Sequence, residues 1–239
     1  MTVSTTSAYT VRDQQRMTKA KRYFEWQSRL SKAALGQRVL EVGCGLGNFT
    51  EQLGDRELVL GVDIDEHCIQ LHRERFRGAA NIRSLVLDVQ DPAFVELRGE
   101  RIDSIACLNV LEHLADDRLI LERFRQILPP GGRVVLLVPA FPALYGPIDA
   151  HLGHFRRYTK RSLRDTATAA GLRPRTLRFM NLIGFFGWWV NAKILAREEQ
   201  SEGQIELFDR WIVPWQAALE GMLEPPVGQS IFAVLEKEA

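Results

Sequence analysis

The chain is 239 residues long, 46% hydrophobic and 26% charged, which suits one α/β or mixed domain carrying an embellishment and excludes a disordered chain. Lys and Arg total 31 against 30 for Asp and Glu, so no net field recruits polyanions and nucleic acid finds no support as a partner. Cys44, Cys68 and Cys107 are spaced for neither a zinc knuckle nor a disulfide framework, which points to a reducing cytoplasm.

The opening "MTVSTTSAYTVRDQQ" carries no apolar stretch behind a basic start, so no secretory signal is expected. "VRDQQRMTKAKRYFEWQSRLSKAAL" reads as a leading helix, and Tyr23 and Trp26 on it face either a ligand or the core. Apolar runs at 38–42, 58–63, 84–88, 103–109 and 133–139 predict five buried strands. Helical spacing lies between them: around 47–54, from Asp65, and from Asp116, where Leu119, Ile120, Phe124, Ile127 and Leu128 form one apolar face. Strict alternation of strand and helix predicts a parallel sheet covered on both faces. "LPPGG" at 128–132 stops the last of these helices. A loop holding "HLGHFRRYT" (151–159), a helix over 160–170 and a strand from 173 follow. Residues 182–228 are aromatic-rich and read as an insertion of two helices, and a final strand starts at Ser230. The whole is one domain: a helical cover (1–35), a core (36–181), the insertion (182–228) and the last strand (229–239). The longest apolar run, "LIGFFGWWV", falls short of the roughly 18–20 residues needed to cross a bilayer.

"VLEVGCGLGNFT" is a strand running into Gly43, Gly45 and Gly47 and then a helix start. Such glycines let the backbone turn sharply and let a ligand lie on main-chain amides. Asp63, ending the second apolar run, is placed to accept both hydroxyls of a ribose, and the third run also ends in an acid, Asp88, before Val89. A dinucleotide fingerprint would read G-x-G-x-x-G; here it is G-x-G-x-G, with Asn48 at the position that fingerprint gives to glycine.

With these motifs the chain resembles class I S-adenosylmethionine-dependent methyltransferases over roughly residues 37–180. The resemblance implies a Rossmann-like seven-stranded sheet in the order 3-2-1-4-5-7-6, its seventh strand antiparallel, with helices on both faces, the N-terminal helix and the insertion before the last strand. It implies S-adenosylmethionine as cofactor. Glu41 and the main chain of Gly43, Cys44, Gly45 and Gly47 would hold its methionine part, Asp63 the ribose and Ile64 the adenine. Asp88 and Val89 would meet the adenine edge, and Leu108 and Asn109 the sulfonium end.

The 151–159 loop then rises at the same edge of the sheet, toward the transferable methyl group. A base is needed only where the acceptor must lose a proton, and His154 is the first candidate, His151 the second and His113 the third. Arg156, Arg157 and Tyr158 are candidates to clamp an acidic group on the acceptor, with Tyr145 and Trp188 beside them. The alternative is that Arg157 and Arg161 pair with Asp149 or Asp165. "GH" followed by "RRYT" is similar to bacterial small-molecule and glycan-pathway members of the family and, more loosely, to quinone-pathway O-methyltransferases. "LNVLEH" in the fourth-strand motif lacks the Asn/Asp-Pro-Pro-Tyr segment associated with amine methylation of bases and glutamine. No set of acidic metal ligands is evident after Asn109, and no metal is expected.

Leu182, Phe185, Phe186 and Trp189 share one helical face, while Ile183, Val190 and Ile194 fill another, so this helix must be covered. The cover is packing against 208–219, an acceptor pocket, a subunit, or a peripheral membrane contact through 182–194. The expected activity is methyl transfer to oxygen of a small, partly apolar metabolite in the cytoplasm. N- or C-methylation, a NAD(P)-dependent oxidoreductase and a cofactor-binding scaffold without turnover are the alternatives.

Overall fold

A computed structural model describes residues 14–190 and 202–238. Seven strands form one sheet in the order β3-β2-β1-β4-β5-β7-β6. They are β1 (Arg38–Val42), β2 (Leu58–Asp63), β3 (Ile82–Val86), β4 (Ser104–Leu108), β5 (Arg133–Pro139), β6 (Leu172–Met180) and β7 (Ser230–Lys237). β1 through β5 pair in parallel, and β7 runs antiparallel to both β5 and β6.

Successive residues of a strand point to opposite faces, and each face finds its own cover. Leu40, Val42, Ile105, Cys107, Val134 and Leu136 join one cluster with Ile120, Phe124 and Leu163. Those side chains come from α3 (Asp117–Ile127) and α5 (Lys160–Ala169). Val39, Val59, Ala106, Val135 and Leu137 meet Trp26, Val213 and Ala217 on the other face. There the cover is α1 (Lys21–Ser31) and α8 (Val213–Met222), so Trp26 belongs to the core. α2 (Glu66–Arg75) is capped by Asp65, whose carboxylate accepts from the His67 and Cys68 amides.

Several expectations are corrected. Strand β3 ends at Val86, so Asp88 lies beyond its tip rather than on it. The helix expected over 47–54 is a short 3-10 turn, Thr50–Leu53, because the glycine loop consumes the residues before it. Of the face expected on α3, Ile120, Phe124, Ile127 and Leu128 are buried, but Leu119 is exposed and Leu121 is buried in its place.

The insertion also departs from two helices. Among the described residues it holds α6 (Leu182–Trp189), α7 (Glu202–Leu207), a π-helical turn (Phe208–Ile212) and α8. Its polar side chains cap other elements: both Asp209 oxygens accept from the Arg22 and Tyr23 amides that open α1. Ala20, at the cap position of α1, has no side chain to do so. Glu220 likewise accepts from the Asn181 and Leu182 amides at the start of α6. Ile194 and the part of the 182–194 stretch beyond Val190 lie outside the described residues.

Candidate active site

The C-terminal ends of β1, β2, β4 and β5 carry the candidate residues to one edge of the sheet. After β1 the chain turns through Gly43, Gly45 and Gly47 at φ +72°, +50° and +81°. A side chain there is strained whatever the space, and a Cβ on Gly43 would collide with Val110, one on Gly47 with Phe76. The loop closes on the Asp63 carboxylate: Gly45 donates its amide at 2.9 Å to one oxygen and Asp65 at 3.0 Å to the other. Burial raises the Asp63 pKa against the pull of these amides. Ile64, next in the chain, is 68% exposed.

Glu41 lies beneath the loop. Its carboxylate accepts from Thr50 Oγ1 at 2.6 Å, and that hydroxyl lies 3.0 Å from His72 Nε2. Burial pushes Glu41 up to about 8 and His72 down to about 4. Cys44 points its side chain inward against Gly61, so what it presents to the loop is its main chain. Asp88 accepts from the Gln90 amide at 2.8 Å, and Val89 is buried with its carbonyl taken by Arg123. Leu108 is half-buried at the tip of β4, followed by exposed Asn109 in the left-handed region at φ +54°.

The 151–159 loop is stitched to the segment after β4. Phe155 donates its amide to the Glu112 carbonyl at 2.8 Å, and Arg156 reaches the Ala115 carbonyl and the Asp117 carboxylate. Tyr158 gives its hydroxyl to Asp117 at 2.8 Å. Arg157 donates to Asp149 at 2.8 Å and to the Ala140 carbonyl, with its guanidinium 4.5 Å over the Trp188 ring. Trp188 packs with Leu144, which ends a 3-10 turn, and with Ile148 of α4 (Pro147–His151). Arg157, Tyr158 and Trp188 are buried, so the expectation that they grip an acceptor is corrected: they hold the loop in place. The pairing of Arg157 with Asp149, the alternative read from sequence, is what forms.

Three polar side chains meet where the two segments join. Glu112, His113 and His154 present ligand-type atoms within 4.8 Å of one another. The His113 and His154 rings stand edge to face with centroids 4.6 Å apart. His154 Nδ1 lies 2.8 Å from Asp149, which is fully buried and also accepts from Arg157 and the Gly146 amide. Burial opposes the charge on Asp149, but hydrogen bonds from His154 and Arg157 outweigh it and hold the carboxyl below its usual range. An ionised carboxylate only accepts, so Nδ1 is the nitrogen that donates to Asp149, and Nε2 takes no part in that bond. Tyr145 donates its hydroxyl to the His154 carbonyl at 2.7 Å, fixing the same residue from the other side. His151 is exposed at the end of α4 and does not join this group. Glu112 was missed in the sequence, although it stands directly before His113 in "LEH".

A seven-stranded sheet in this order, with a glycine loop after β1 and an acid ending β2, defines a class I methyltransferase fold. The methyltransferase-domain family matches residues 14–177, and the chain belongs to that family. Among curated relatives, the ubiquinone biosynthesis O-methyltransferase of Leptothrix cholodnii is 29% identical over 102 residues, 42% of this chain and 43% of that protein. The chain thus spans less than half the length of that relative. A chain from a complex of the Haloferax volcanii Trm112 methyltransferase activator matches with a TM-score of 0.69 and 17% identity, covering 100% of both. The N-methyltransferase NodS of Bradyrhizobium japonicum, solved with S-adenosyl-L-homocysteine, matches at 0.57 and 16%, covering 92% of this chain and 86% of that one.

Proposed function

We propose that the protein transfers a methyl group from S-adenosylmethionine to oxygen of a small, partly apolar acceptor. The observation that carries this reading is the glycine loop closed on Asp63, at the same sheet edge as the His113–His154 pair. The donor set suits the cofactor. A carboxylate offers about four acceptor positions, and the two amides on Asp63 leave both oxygens able to take a ribose hydroxyl. Exposed Ile64 offers an apolar surface to adenine, with Asp88 and the Val89 main chain at its edge and Leu108 and Asn109 toward the sulfonium end. Glu41 supports from below the main chain of Gly43, Cys44, Gly45 and Gly47 that receives the methionine part.

When bound, S-adenosylmethionine supplies an electrophilic methyl group on a sulfonium. The chain's own residues align the acceptor and keep water away, the contributions that matter most in an in-line displacement. His154, held by Asp149 and Tyr145, offers Nε2 to the proton of a hydroxyl acceptor, with the His113 ring beside it. Arg156 and Tyr145 are the remaining half-buried candidates for the acceptor's polar group. Similarity to an O-methyltransferase supports oxygen over nitrogen or carbon.

Titration calorimetry tests the cofactor. S-adenosylhomocysteine should bind at about micromolar Kd, near −8 kcal/mol, and NADH should not. Asp63→Ala should weaken that binding by about 1–3 kcal/mol through lost hydrogen bonds to a charged group. NADH binding in place of the homocysteine would falsify the assignment; unchanged affinity in the variant would misplace the ribose.

A further inference from the structure

We infer that Glu112, His113 and His154 form a binding site for a divalent first-row cation that accepts imidazole nitrogen, with Zn2+ as the type. Two imidazoles and one carboxylate are a ligand set for such metals, whereas Mg2+ and Ca2+ prefer oxygen alone. Three protein ligands also leave positions for water or an oxygen of a bound molecule, and His113 is exposed.

The geometry brings the three donors near one another without yet closing on a cation. Ligands about 2.1 Å from a tetrahedral metal stand about 3.4 Å apart. The three ligand atoms lie within 4.8 Å, so side-chain movements of up to about 1.4 Å between donors close the set.

Two further observations point to a ligand. Glu112 is 1% exposed, and its Oε2 has no hydrogen-bond partner in the protein. An unpartnered buried carboxylate oxygen is costly, and a coordinated cation would satisfy it. Asp149 on Nδ1 of His154 is the outer partner that metal-binding histidines commonly carry: it sets the tautomer that leaves Nε2 to coordinate. Arg157, the Tyr145 hydroxyl and the Phe155–Glu112 main-chain bond lock this assembly in advance.

The site stands on these side chains whether or not the methyl-transfer reading holds. Where both hold, the cation takes Nε2 of His154 and replaces that residue as the group that activates an acceptor oxygen.

The test is metal binding by untagged, chelator-treated protein, read by calorimetry with Zn2+ and by visible absorption with Co2+. One equivalent of either should bind, and equimolar Mg2+ should not displace it. Glu112→Gln, nearly isosteric, and His113→Ala, at an exposed position, should each weaken binding at least tenfold while the circular dichroism spectrum and melting temperature hold. Asp149→Asn should weaken it about 10- to 100-fold by loosening His154. His67→Ala, exposed on α2, should bind like the parent protein. Failure of the parent protein to take up one equivalent would overturn the site, as would undiminished binding in both Glu112→Gln and His113→Ala.

Discussion

Glu41 ties the glycine loop to the core at the cost of a displaced ionisation. Burial holds it protonated up to about 8, while His72, reached through Thr50, stays neutral down to about 4. The two act on stability with opposite signs. Glu41 binds its proton more tightly folded than unfolded, so its contribution is full below about 4.5 and is lost as pH rises through 8. His72 contributes fully above 6.5, and that contribution is lost as pH falls toward 4. Urea unfolding of Glu41→Gln between pH 5 and 8 should therefore lack a downward slope of up to about 1.4 kcal/mol per pH unit that the parent shows. Parallel slopes in the two proteins would mean that Glu41 is ionised in the fold. The position of Glu41 and the glycines was legible because a strand running into a positive-φ turn is a local pattern. That its carboxylate faces Thr50 and His72 was not, since those partners come from the turn after the loop and from α2.

At the scale of elements, two helices take capping groups from distant parts of the chain. α1 is opened by Asp209 from the π-helical turn, and α6 by Glu220 from α8. Asp209→Ala should cost about 0.5–2 kcal/mol, the usual value of a lost cap, in chemical denaturation. No loss of stability would show that water caps α1 equally well. The strands at 38–42, 58–63 and 133–139 were legible to the residue, because buried parallel strands read as continuous apolar runs. The 3-10 turn at Thr50–Leu53 and the outward face of Leu119 were not, because the first depends on where the glycine loop ends and the second on how α3 rotates against the sheet. In "HLGHFRRYT" the sequence marks a crowded polar loop; the pairing of Arg157 with Asp149 and of Tyr158 with Asp117 makes most of it scaffold.

Across the whole molecule, the insertion covers one sheet face with its inner side and leaves an apolar outer side. Trp211, Trp215, Leu219, Met222 and Leu223 are exposed along α8 and its approach, Trp215 at 80%, and Ile183, Phe186 and Trp189 are exposed on α6. Among the described residues, no helix is long and apolar enough to cross a membrane. The peripheral contact expected through 182–194 would use Ile183, Phe186 and Trp189, and the exposed side chains of α8 are a second apolar surface of the same kind. Trp211→Gln with Trp215→Gln should leave stability within about 0.5 kcal/mol, since both side chains lie outside the core, and should lower sedimentation with phospholipid vesicles. Equal sedimentation of parent and variant would remove α8 from any membrane contact.

The sequence alone determined the period of the strands, the glycine turn and the acids beyond them, because each depends on neighbours a few positions away. It also carried the family resemblance from which the strand order followed. Only the tertiary structure decided which polar side chains meet. Glu112 and His154 arrive on separate loops after β4 and β5, and Asp149 becomes a partner of both His154 and Arg157 only when those loops close. Burial then determines the chemistry: a charge deep in the protein must find a partner, and the fold chooses which one it finds.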